Sequence, residues 1–130
     1  MAEGILNKLA SERGLDIKAE SAGIFAMETS RAAENAVRAM EKMDIDISNH
    51  RSSLLKESMV EDVDLVLTMS KAHKENLITY FPHMREKIVL LNEHAFKIDK
   101  DVEDPFGQSI DYYEKARDEI YRAVEEILDK

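Results

Sequence analysis

Val63-Asp64-Leu65-Val66-Leu67-Thr68-Met69 is the stretch whose reading decides the fold. A near-continuous apolar run of this length is the pattern of a parallel strand covered on both faces. Lys87-Ile88-Val89-Leu90-Leu91 is a second run of the same kind. Between them Ser70 is placed to cap a helix that ends before Pro82, because proline excludes the preceding residue from helical backbone. Strand, helix and strand in that order predict a right-handed crossover and a parallel sheet.

Towards the N-terminus, residues 2–13 read as a helix with Ile5, Leu6 and Leu9 on one face and Gly14 as its stop. No Ser, Thr, Asp or Asn precedes it as a cap. Residues 15–24 read as a short strand of weak alternation near a sheet edge, closed by Gly23. Thr29 or Ser30 is expected to cap a helix through Met43, with Ala33, Ala36, Val37, Met40 and Met43 at helical spacing. A loop over 44–53 carries Asn49-His50-Arg51-Ser52, and Ser53 is expected to cap a short helix over 54–59. Beyond the second apolar run, 92–103 reads as a polar loop. A long amphipathic helix comes next over 109–128, with Ile110, Tyr113, Ala116, Ile120, Ala123, Val124, Ile127 and Leu128 inward.

Helices alternating with buried strands predict an α/β protein with three α/β/α layers and a parallel sheet. A sheet of this kind ordinarily begins on a strand, yet this chain begins on an uncapped helix. Both features predict that a first strand is missing. The 130 residues suit a single domain, 1–130. Hydrophobic residues make up 44% and charged residues 35%, the balance of a globular chain. The formal charge of −9 argues against nucleic acid as a partner, since phosphate backbones are bound by basic patches. No apolar run has the length of a membrane span, and no membrane partner is expected. The chain contains no cysteine, which excludes disulfides and cysteine chemistry within it and fits a cytoplasmic location. His73, His83 and His94 lack ligand-like spacing, so neither a metal nor a cofactor is expected.

Glu103-Asp104-Pro105-Phe106-Gly107 is the segment with chemical promise. Pro105 fixes its own backbone and holds Asp104 in extended conformation, from which a carboxylate projects rigidly. Taken alone, the same residues also describe an ordinary surface turn.

With these elements in place, the chain resembles the low-molecular-weight protein tyrosine phosphatases, in particular their bacterial branch. Met1-Ala2-Glu3-Gly4 resembles the residues immediately after the family's Cys-x5-Arg-Ser-Pro phosphate loop. Ser21-Ala22-Gly23 resembles the end of its second strand. Asn49-His50-Arg51-Ser52-Ser53 and Asp64-Leu65-Val66-Leu67-Thr68-Met69 resemble its middle, and Asp104-Pro105-Phe106-Gly107 its general-acid segment. The resemblance implies hydrolysis of phosphotyrosine or phosphoarginine on a protein substrate through a cysteinyl phosphate. It makes Asp104 the acid that protonates the leaving group and then activates water. Phe106 would be an aromatic wall beside the substrate, or else simply pack beneath its loop. Ser21 and His50 match positions that hold the phosphate loop.

The family's first strand, nucleophile and phosphate-binding Arg align before Met1. This implies that the chain as given is inactive, and that it was begun at an internal methionine rather than kept as a natural remnant. The exposed sheet edges would then invite self-association. Three alternatives stand beside this reading. An arsenate reductase of the same fold fits less well, because the thioredoxin-coupled kind needs further cysteines. A phosphoacceptor domain would need an aspartate where the buried strand ends in Thr68-Met69-Ser70. A non-catalytic interaction domain is the remaining one.

Overall fold

The computed structural model describes residues 1–23 and 31–129. The chain divides into two compact units, Met1–Leu55 with Asp104–Lys130, and Lys56–Glu103.

The first unit is built on helices. α1 (Ala2–Glu12) buries Ile5, Leu9 and Ala10. It ends in a Schellman turn: the Leu15 amide donates to the Ala10 carbonyl at 2.9 Å and the Gly14 amide to that of Ser11 at 3.1 Å. Gly14 takes the left-handed backbone that this turn requires, with φ +67°. α2 (Glu34–Glu41) buries Ala36, Ala39 and Met40. It closes with the same two bonds, from Ile45 to Met40 at 3.1 Å and from Asp44 to Glu41 at 2.9 Å. Here Asp44, with φ +59°, stands in the left-handed position. The described helix begins after Ala33, so the caps expected at Thr29 or Ser30 lie outside the described residues.

Both helices pack on α6 (Ile110–Leu128), which buries Tyr113, Ala116, Ile120, Ala123 and Val124. Polar groups reinforce the same contacts. Arg117 Nη1 donates to the Ala39 carbonyl at 2.8 Å, Lys42 pairs with Glu114 at 2.8 Å, and Arg13 pairs with Asp129.

The stretch expected as a strand over 15–24 does not join a ladder over its described residues. Side chains of α1 hold it instead. Asn7 brackets Ala19, accepting from its amide at 2.7 Å and donating to its carbonyl at 3.0 Å. Glu3 accepts from the Ser21 amide at 2.7 Å. Glu3 and Asn7 are four residues apart on one helical face and read alternate residues of an extended chain. A single parallel bridge, Gly23 to Leu54, is the strand-like contact that remains.

The second unit carries the parallel pair. β1 (Val66–Thr68) pairs with β2 (Ile88–Leu90) in the register Val66–Ile88, Leu67–Val89 and Thr68–Leu90. The crossover is α4 (Lys71–Tyr80), capped by the Ser70 hydroxyl as expected from the sequence, followed by a 3-10 helix over Pro82–Lys87. α4 packs against both strands and contributes Leu77 to the core, alongside Ile88 and Leu90. The short helix expected over 54–59 appears as α3 (Glu57–Asp62), with Lys56 rather than Ser53 before it.

Residues 92–103 are not wholly a loop, because α5 (Leu91–Phe96) continues directly from β2. Its Leu91 and Ala95 are buried, and so is Asn92, whose amide donates to the Lys100 carbonyl at 2.9 Å and holds the returning chain. The fold is therefore α/β with a parallel sheet, which among the described residues has two strands.

Candidate active site

All four side chains singled out from the sequence belong to the first unit. They form two clusters.

The first is Ser21, His50 and a residue that sequence patterning does not single out, Glu3. Glu3 stands in the first turn of α1, where an acidic side chain suits the helix dipole. Its Oε1 accepts from the Ser21 amide at 2.7 Å and from the Ser21 hydroxyl at 3.1 Å. Its Oε2 lies 3.2 Å from His50 Nδ1. The other ring nitrogen, Nε2, lies 3.5 Å from Ser21 Oγ, so the three side chains close a ring. The carboxylate fixes the hydroxyl and the imidazole at once. His50 is further set by its own backbone, its amide donating to the Ile47 carbonyl at 3.0 Å. Just upstream, Asp46 accepts from the Ser48 hydroxyl at 2.5 Å and amide at 2.8 Å, an Asx turn that shapes the loop. These bonds hold the Asp46 carboxyl below the usual carboxylate range, the hydroxyl contributing most.

The sequence marks Glu3 only as an acid in the first turn of a helix, one turn before Asn7.

The second cluster is the turn over 104–108. Asp104 Oδ1 accepts from the Phe106 amide at 3.1 Å, and the Gln108 amide donates to the Pro105 carbonyl at 2.9 Å. Gly107, at φ +78°, makes the reversal. Asn35 on α2 donates to the Gln108 carbonyl at 3.2 Å and ties the turn to the helical layer. Asp104 is exposed, and one of its oxygens is left out of the turn's bond. Phe106 is 78% exposed, more than any other large hydrophobic residue described, so it does not pack beneath the loop. An exposed ring thus stands two residues along the chain from an exposed carboxylate whose backbone the following proline restrains.

Around the start of α1, burial pushes the Met1 amine below the usual amine range, while the Glu3 charge pulls the other way. Among the described residues no helix is long and apolar enough to cross a membrane.

The family model described as low molecular weight phosphotyrosine protein phosphatase matches residues 1–130. The chain is 38% identical over 127 residues to a protein-arginine-phosphatase of Bacillus subtilis, covering 98% of this chain and 84% of that protein. It is 34% identical over 125 residues to an arsenate reductase of Staphylococcus xylosus, covering 96% and 82%. The crystal structure of a low molecular weight protein tyrosine phosphatase from T. tengcongensis superposes with a TM-score of 0.94 at 36% identity, covering 98% of this chain and 87% of that one. A match along the whole chain, and a shared backbone at this level of identity, assign fold and enzyme class together: the chain belongs to the low molecular weight phosphotyrosine protein phosphatase family.

Proposed function

We infer that the chain serves the hydrolysis of a phosphorylated side chain on a protein, with Asp104 as the proton donor to the leaving group. The observation that carries this reading is the turn at 104–108, in which Pro105 fixes the backbone of an exposed carboxylate two residues before an exposed aromatic ring. Phosphoarginine is the favoured substrate and phosphotyrosine the second. The identity to a protein-arginine-phosphatase supports the first, and the likeness to a tyrosine phosphatase supports the second. In either case the leaving atom, guanidinium nitrogen or phenolic oxygen, departs more readily when it receives a proton. Asp104 is the group to supply it and afterwards to take a proton from water.

Phe106 would line the side chain being dephosphorylated. Ser21 and His50, tied through Glu3, would hold a phosphate-binding loop in place. The family's nucleophile is a cysteine, and these 130 residues contain none, so by themselves they would not turn over. The reaction needs no cofactor. The matching family and the cysteine-free composition support one phosphatase-like domain acting in the cytoplasm. The outer edges of the β1–β2 pair support self-association of the chain on its own, readable as a dimer or larger species by size exclusion with light scattering.

An arsenate reductase is the second reading, on the identity to the Staphylococcus xylosus protein. Absence of any further cysteine in the chain counts against it.

The test joins the strand and Cys-x5-Arg loop of the Bacillus subtilis relative to residue 1. The chimaera should hydrolyse phosphoarginine and aryl phosphates. Asp104→Asn should lower the rate about 10²–10⁴-fold, and by less on substrates whose leaving group is already good. An Asp104→Asn chimaera with unchanged rate on both phosphoarginine and phosphotyrosine removes Asp104 from the reaction. Reduction of arsenate without phosphatase activity would favour the second reading. The 130 residues alone should give no turnover of p-nitrophenyl phosphate above a buffer blank.

A further inference from the structure

Spacing along the chain shows no sign of a metal site, but the fold of the second unit brings three ligand-type side chains to one place. Glu57 and Glu61 are four residues apart on α3 and therefore share a face. Val60, 1% exposed, pins the opposite face into the core and leaves the two carboxylates outward. The 3-10 helix arrives alongside with Met84 buried and His83 exposed, so that His83 Nε2 lies 3.7 Å from Glu57 Oε1. Lys87, at the end of the 3-10 helix, donates to the Glu61 carbonyl at 3.1 Å and to the Val63 carbonyl at 3.0 Å. The two elements are thus bolted together independently of the side chains in question. One ligand atom from each of Glu57, Glu61 and His83 lies within 4.8 Å of the other two.

We propose that Glu57, Glu61 and His83 bind one divalent first-row transition metal ion, zinc being the probe of choice. An imidazole nitrogen with two carboxylate oxygens suits zinc and its neighbours, whereas calcium and magnesium prefer oxygen alone. Zinc bonds of about 2.0–2.2 Å in a tetrahedron place ligand atoms roughly 3.3–3.6 Å apart. The three donors can close to that separation by side-chain rotation, since all three residues are exposed and none has to leave the core. The two carboxylates balance the charge of a divalent ion. In the free protein a carboxylate oxygen of each lies within 4.8 Å of one of the other, so the ion relieves a like-charge contact. The remaining coordination position would hold water. Because the ligands come from two elements, the ion would clamp α3 to the 3-10 helix and bind the folded chain in preference to the unfolded one.

The experiment uses the full chain, stripped with a chelator and titrated with zinc in equilibrium dialysis and in thermal melts. One equivalent should bind, and the melting temperature should rise with zinc and fall back on chelation. Amide NMR signals of residues 57–61 and 83–87 should be those that shift. His83→Gln and the pair Glu57→Gln with Glu61→Gln should each weaken binding by more than the about 10–100-fold that loss of an outer partner of a metal ligand produces. His73→Gln should leave it unchanged. No binding, zinc-dependent shifts centred elsewhere such as around His50, or equal weakening by His73→Gln and His83→Gln would each overturn the proposal. The NMR map on the unsubstituted chain keeps the test decisive if a variant folds poorly.

Discussion

Removing the Glu3 carboxylate should loosen the Ser21–His50 cluster by an amount that can be worked from its bonds. Glu3→Ala deletes an acceptor for the Ser21 amide at 2.7 Å, an acceptor for the Ser21 hydroxyl at 3.1 Å, and a partner 3.2 Å from His50 Nδ1. Bonds to a charged group contribute about 1.5–3 kcal/mol when well shielded. Here the Glu3 and His50 side chains are 27% and 30% exposed, so solvent screens part of that. Taking about 1.5 kcal/mol for the short amide bond and about 0.5 kcal/mol for the two longer contacts together gives about 2 kcal/mol. Alanine returns a few tenths of a kcal/mol through its helix propensity, leaving roughly 1.5–2 kcal/mol.

In a chain of this size that loss corresponds to a fall in melting temperature of roughly 5–10 °C. Urea titration followed by circular dichroism measures the free energy, and amide exchange at Ser21 reports the local opening. Glu3→Gln should lose only about half as much, since its amide oxygen still accepts from Ser21. A cycle combining Glu3→Gln with His50→Gln should return a coupling of up to about 0.5 kcal/mol. If Glu3→Ala unfolds within about 0.5 kcal/mol of the parent and the cycle is additive, the ring of three side chains is not an energetic unit.

Met40 is fully buried and would lie 3.6 Å from a Cβ placed on Gly4, so it fills the space between α1 and α2; Met40→Ala should cost about 2–5 kcal/mol in urea unfolding. Asp44→Gly should stabilise by about 0.5–1 kcal/mol, because the Schellman turn holds position 44 at φ +59° and glycine adopts that backbone without a side-chain clash. The Met1 amine is pushed below its ordinary 8.0 by burial, so between its folded value and 8.0 the unfolded chain binds more protons. Stability should therefore rise with pH up to about 8 and level off above it, a slope that N-terminal acetylation should remove.

The legible parts of the sequence were those where one residue type satisfies one physical demand. Val63–Met69 and Lys87–Leu91 are apolar almost without interruption, and the structure places its parallel pair within them. Ser70 offers a side-chain oxygen at a helix start and is used as one. Leu91–Phe96 was hidden because its buried face is short and includes Asn92, a polar residue whose burial makes sense only once the Lys100 carbonyl is beside it. The stretch 15–24 misled for the opposite reason. Its alternation is weak, and the groups that read its backbone are Glu3 and Asn7 on a helix rather than a neighbouring strand among the described residues. Glu3 itself carries no local signal strong enough to separate a helix-opening acid from one that organises two distant side chains.

The helical unit ties residues far apart in sequence to three packed helices. The Asp104 turn leads directly into α6 and is tied to α2 through Asn35. The Ser21–His50 pair is tied to α1 through Glu3. α1 and α2 both pack on α6, so the helices that hold the two clusters share one buried floor, which includes Ile5, Leu9, Met40, Tyr113, Ile120 and Val124. Dense packing transmits displacement, so a cavity in that floor should be felt at both clusters through the helices that hold them. The bonds within each cluster act differently. Loss of Glu3 frees the hydroxyl and the imidazole but leaves the floor intact, and the Asp104 turn with it. Core substitutions and Glu3 substitutions are thereby distinguishable: the first should disturb the amide signals of residues 104–108 as well as those around Ser21 and His50, and the second only the latter.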